Sequence, residues 1–213
     1  MLRIQLFGAP AVYDETGKPL VIPRRLTRAL LYYLAAQGHP VTRDHLIDRF
    51  WPEEPLEKAR ASLRDALSKL REALPEKNLL QATRENVTLD FQRVTVDLLE
   101  IQTWLASIHA TLRKVPENAP LPAETYRQML KVLQTWDGRN FLPGGDVEYS
   151  EELSDWMRET EEAITKQLIR LARRLAAHEA ATGNPDQANH WLRQVLQFDE
   201  FDADTHQAIL ENY

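Results

Sequence analysis

Apolar residues alternate through LRIQLFG, with Leu2, Ile4 and Leu6 at every second position, which predicts a β-strand. The next stretch, PAVYDETGKPLVIP, reads as a hairpin: Asp14, Glu15, Thr16 and Gly17 form the turn, and Pro10 and Pro23 bound it. The period then lengthens to that of a helix. RRLTRALLYYLAAQG places Leu26, Ala29, Leu30 and Leu34 on one face and ends at Gly38. TRDHLIDRFW begins at Thr42, a good N-cap, and stops at Trp51-Pro52. A third helix begins near Pro55 and runs through KARASLRDALSKLREAL, with Ala59, Leu63, Ala66, Leu67, Leu70 and Leu74 in one stripe. Alternation returns in LLQATRENVTLDF, where Leu80 and Ala82 face Val87 and Leu89 across TREN as a second hairpin. FQRVTVD, from Phe91 to Asp97, has no Gly, Pro or Ser run. It predicts an extended segment, as the last strand of that hairpin, leading directly into the next helix and holding the helical domain against the first domain. Tyr32 and Tyr33 lie outside the leucine stripe and form a candidate surface for that contact.

From Asp97 the pattern is helical only. Asp97 suits an N-cap, with Glu100 as its capping-box partner. RKVPENAPLP is a Pro-rich loop, AETYRQMLKVLQTW a helix, and DGRNFLPGGD an irregular turn. A long helix spans about Ser150 to Gly183. Another opens at GNP, with Asn184 as cap and Ala188, Leu192 and Val195 inward. A last helix starts near Asp204 and reaches Tyr213 without a cap, as expected of a chain that continues. Paired helices around the GNP turn suggest tetratricopeptide-like stacking. The order of sheet, three helices and hairpin is that of a winged helix-turn-helix. The reading is therefore α+β: a winged helix-turn-helix with a small antiparallel sheet over residues 1–96, then an all-α, tetratricopeptide-like helical domain over residues 97–213.

Charge refines this picture. The net charge of the 213 residues is −6. Residues 1–96 hold 15 basic and 12 acidic residues, and residues 97–213 hold 11 and 20, so a +3 front half precedes a −9 back half. There is no cysteine, which excludes disulfides and thiolate chemistry. The start has no signal-peptide pattern, and no apolar run reaches membrane length, which suggests a cytoplasmic protein without a membrane partner.

The stretch ALLYYLAAQGHPVTRDHLIDRFWPEEPLEKARASLRDALSKLREAL resembles the N-terminal region of the Streptomyces antibiotic regulatory protein family. The features that carry the resemblance are RALLYYLA, PVTRDHL, FWP and SKLREAL. TWDGRNFLPGGDVEYSEELSDWMRETEEAITKQLIRLARRLAAHEAATGNPDQANHWLRQVLQFDEFDADTHQ resembles the bacterial transcriptional activator domain that comes second in that family. The resemblance implies an OmpR-type winged helix that binds double-stranded DNA, and an activator whose helical domain supports assembly or touches the transcription machinery, RNA polymerase included.

By that resemblance, Arg64, Ser68 and Lys69 match outward positions of the third helix that face DNA, and Arg84 sits at the wing tip that reaches the adjacent minor groove. Arg60, Arg64 and Arg71 line up beside the leucine stripe. Arginine suits a major groove because its planar fork bonds two acceptors on a guanine edge or grips a phosphate, the second being the expected role of Arg71. Thr42 and Arg43 open the second helix, whose amides suit a phosphate. The plain alternative is that a mixed-charge outer face is only solvated, and Glu57, Asp65 and Glu72 would repel phosphate. A +3 excess is small for one DNA-binding copy, so a homodimer or tandem pair is expected.

Other chemistry is thinly represented. No glycine-rich loop followed by Lys and Ser/Thr occurs, nor GxGxxG or GxSxG. His39 and His45 are six apart, which is poor metal spacing, and DEFDAD lacks the glycine of a calcium loop. The five tryptophans suit a core. No cofactor and no enzyme activity are expected. Two functions stay open: a DNA-binding transcriptional regulator, and a protein-interaction module that uses the helical repeats without binding DNA.

Overall fold

A computed structural model describes residues 1–116, 120–143 and 150–212. The chain forms two compact units, Met1–Glu100 with Asn140–Thr160, and Ile101–Arg139 with Glu161–Tyr213. Part of the turn expected at Leu142 to Asp146, and part of the Pro-rich loop, lie outside the described residues.

The first unit is a winged helix. Strands β1 (Leu2–Gln5) and β2 (Ala11–Tyr13) pair antiparallel. The expected return strand after Gly17 is reduced to a single bridge between Tyr13 and Pro19. Helix α1 (Arg25–Gln37) is buried almost all round, with Ala29, Leu30, Leu31, Leu34 and Ala35 fully enclosed, so it forms the centre of the core. It ends at Gly38, whose φ of +68° closes the helix and where a side chain would collide with Leu99 at 2.8 Å. Tyr32 and Tyr33, the expected contact surface, are buried: three-residue and four-residue steps carry both faces of α1 into the core. The Tyr33 ring meets Phe50 edge-on at 5.6 Å and Trp156 at 4.7 Å.

Strand β3 (Val41–Thr42) leads into α2 (Arg43–Phe50), and α3 spans Leu56–Ala73. All six apolar positions of the α3 stripe are buried, which stabilises the unit by roughly 1.5–3 kcal/mol for each large side chain. Strands β4 (Leu80–Ala82) and β5 (Asn86–Leu89) form the wing, with Leu80 opposite Leu89 and Ala82 opposite Val87. Strand β3 joins the other edge of β5.

Strand β6 (Val94–Val96) corrects one expectation. It does not extend the wing but pairs parallel with β1 in the other sheet, Leu2 opposite Val94 and Ile4 opposite Val96. Alternating Val94 and Val96 bury the same way in either sheet, so periodicity alone does not choose the partner. The choice is fixed by Asp97, the first residue of α4 (Asp97–Leu112). Its buried carboxylate accepts hydrogen bonds from the amides of Leu6 at 2.9 Å and Phe7 at 3.1 Å, just past β1, besides that of Leu98 at 2.8 Å.

The second unit is helical: the rest of α4, α5 (Ala123–Trp136), most of α6 (Glu151–Ala181), α7 (Pro185–Leu196) and α8 (Ala203–Glu211). Met129, Val132, Leu133, Leu168, Leu171, Leu175 and Val195 fill its core. Asn184 precedes α7 as expected, but its side chain does not cap that helix. It donates to the buried Glu179 carboxylate at 3.0 Å, whose other oxygen accepts from the Tyr126 hydroxyl. Among the described residues no helix is long and apolar enough to cross a membrane.

Candidate nucleic-acid interface

Three elements of the winged helix meet at an open groove of about 860 Å³, lined by the start of α2, one flank of α3 and the wing tip. Local sequence sets each wall. Thr42 caps α2, its hydroxyl accepting from the His45 amide at 3.2 Å. Arg43 joins the wing to this helix start: its amide donates to the Glu85 carbonyl at 2.7 Å and its Nε to the Thr83 carbonyl at 2.9 Å. At the tip, the Thr83 hydroxyl accepts from the amides of Glu85 at 3.3 Å and Asn86 at 3.0 Å, a local turn that leaves the Arg84 side chain exposed.

Five of the eight residues expected from sequence line this groove: Thr42, Arg43, Arg60, Arg64 and Arg84. Four arginines face two carboxylates there, Asp44 and Glu85, so the groove is net cationic. Arg60, exposed, holds Glu57 at 3.0 Å. Arg64 and Arg84 are exposed and have no carboxylate within ion-pair distance among the described residues. Arg43 is half-buried and largely engaged in joining α2 to the wing. Two of the α2 amides expected to suit a phosphate already have partners in the chain, those of Arg43 and His45.

Ser68, Lys69 and Arg71 lie outside the groove walls. Arg71 is half-buried. Ser68 and Lys69 share one acceptor: the Glu72 carboxylate takes the Ser68 hydroxyl at 3.4 Å and the Lys69 ammonium at 3.3 Å. On the same flank Asp65 pairs with Arg24 at 3.5 Å, both side chains more than 60% exposed. The outer face of α3 is thus divided. On the wing side Arg60 holds Glu57 while Arg64 has no carboxylate partner among the described residues, and on the opposite side Lys69 is matched by Glu72. Sequence reasoning does not single out Arg24, Thr83 or Glu85; the PRR run ahead of α1 is the only signal for the first, and the other two act through backbone and turn geometry.

The His45 Nε2 lies 2.6 Å from the Tyr33 hydroxyl. Burial raises the pKa of that hydroxyl, while Arg49 opposes the shift. Trp51, Trp136 and Trp191 are core residues, and Trp104 lies under the Lys131 ammonium at 4.1 Å.

No family model matches the chain, and no curated protein matches it. Among solved structures the chain is similar to Mycobacterium tuberculosis EmbR in complex with a low affinity phosphopeptide, at 18% identity and a TM-score of 0.57. The match covers 99% of this chain and 64% of that one. At this identity the likeness shows the fold: a winged helix followed by a helical domain.

Proposed function

We propose that this chain is a sequence-specific DNA-binding transcriptional regulator of the Streptomyces antibiotic regulatory protein type, acting as an activator. Helix α3 enters the major groove with Arg64 at base edges, the wing places Arg84 in the adjacent minor groove, and Thr42 and Arg43 lie near the phosphate chain. The helical domain, residues 97–213, assembles two copies or touches RNA polymerase. The observation that carries this reading is the convergence of Arg43, Arg60, Arg64 and Arg84 on one groove between α2, α3 and the wing. The small +3 excess of residues 1–96 favours paired binding, since each copy neutralises few phosphates.

The second reading, a protein-interaction module, is favoured by the α3 carboxylates that occupy cations: Glu57 with Arg60, Asp65 with Arg24, and Glu72 with Lys69. Selection of bound sequences from a random duplex library, with the purified chain at low salt, separates the two. A recurring motif supports the regulator and gives the half-site spacing. No retention of duplex at any salt leaves the interaction module.

A further inference from the structure

Glu72 stands out among the acidic residues of α3. It is the single acceptor for two neighbouring side chains, the Ser68 hydroxyl and the Lys69 ammonium, one turn and almost one turn before it on the exposed face. The Lys69 side chain is 35% exposed and, with Glu72, lines a hollow whose other walls include Val21, Pro23, Arg24 and Thr27. Across the helix, Arg64 has no such partner among the described residues. Arg64 is therefore open to any phosphate, whereas Lys69 is offered only after a carboxylate is displaced.

We propose that Glu72 is a specificity-determining residue of the DNA interface: it holds Lys69 and Ser68 back from the phosphate chain, and so suppresses binding to random duplex. This rests on the DNA-binding reading above. Its physical basis is a competition. An exposed Lys–Glu pair is weak, so phosphate could take the lysine. The carboxylate left behind would then stand beside the same phosphate and repel it. Random DNA offers mainly phosphate contacts, so it loses one; a cognate site, held by base contacts from the other flank, loses proportionally less.

The test is the salt dependence of binding to random duplex by Glu72→Gln, compared with Asp204→Asn, which removes the same charge in the helical unit. Each additional phosphate contact steepens the slope of log affinity against log salt by about 0.9. Glu72→Gln is expected to bind random duplex more tightly at low salt and to lose about 3.5-fold more affinity than the parent between 50 and 200 mM salt. Asp204→Asn should leave the slope unchanged. Adding Lys69→Ala to Glu72→Gln should return the slope to the parent's, whereas Lys69→Ala alone should barely move it. Thermal melting of each variant confirms that the unit remains folded; if Glu72→Gln proves unstable, the single Lys69→Ala variant decides, a full-contact loss in slope overturning the proposal. An unchanged slope in Glu72→Gln overturns it while the DNA reading stands. A gain that persists without Lys69 also overturns it. Absence of duplex binding by the parent at any salt overturns both.

Discussion

The two units use their polar groups in opposite ways. In the helical unit the informative carboxylate is inside: Glu179 is 3% exposed, accepts from the Tyr126 hydroxyl at 2.6 Å and from Asn184 at 3.0 Å, and its own carbonyl accepts the Asn184 amide at 2.8 Å. Those bonds pin the turn between α6 and α7, so the group is structural. In the winged helix the informative charges are outside. Arg64 and Arg84 are exposed and contribute little to the fold that holds them. A buried, satisfied ion predicts a change in stability when it is removed; an exposed cation in a groove predicts a change in affinity. Substitution can therefore tell the two kinds of site apart.

Asp97 tests the comparison hardest, because it is a buried carboxylate in the winged-helix unit. Its removal leaves the amides of Leu6 and Phe7 without their acceptor at the junction of β1 and β6. Asp97→Ala should destabilise that unit by about 3 kcal/mol in denaturant unfolding, the range for stranding buried donors bonded to a charged group. Unchanged stability would mean that the two amides find other acceptors. Tyr126→Phe is the matching change in the helical unit and should cost about 2 kcal/mol there, with the salt dependence of DNA binding unaltered. The pKa of the Tyr126 hydroxyl is raised, first by its hydrogen bond to the Glu179 carboxylate and then by burial and that negative charge. The stabilisation is therefore complete below the ordinary tyrosine range and is lost as pH rises through the raised value. Alkaline melts of Tyr126→Phe should lack that loss.

Arg64→Ala should do the reverse. Thermal stability should stay within experimental scatter, while affinity for the selected sequence falls by about 1.5 kcal/mol and preference relaxes at one base pair. Competition assays on the selected and scrambled duplexes measure this. Equal loss on both would assign Arg64 to phosphate, and no loss would remove α3 from the major groove.

How much of this is legible in the sequence depends on how local the signal is. The α3 stripe, the Gly38 terminus, the Thr42 cap and the TREN hairpin arise from spacing within one element, and each is present. The partner of Val94 and Val96 is not local: alternation states that a strand is half-buried but not against what, and the answer lies 91 residues away, in the amide of Leu6 bonded to Asp97. The same limit explains Tyr33, whose neighbours Phe50 and Trp156 come from distant segments. For the candidate site, residue type and helical position bring out Arg60 and Arg64, and the TREN hairpin brings out Arg84. They do not show that Lys69 is held by Glu72 or that Arg43 is tied to Thr83, because both depend on side-chain direction.

Arg84 offers the smallest effect and the cleanest separation of affinity from structure. The wing tip does not need its side chain: Thr83 closes the turn through its hydroxyl, and Arg43 holds the Thr83 and Glu85 carbonyls from below. Arg84→Ala should therefore melt like the parent. On DNA it should lose one phosphate or minor-groove contact, which carries little sequence code, so selected and random duplexes weaken together and the salt slope falls by about 0.9. Glu85, beside it, already lessens the local positive potential, which keeps the loss small at physiological salt. Titration at several salt concentrations with both duplexes checks this. A shift in base preference would place Arg84 at a base edge instead, and an unchanged slope would take the wing tip out of the interface and leave the groove bounded by α2 and α3 alone.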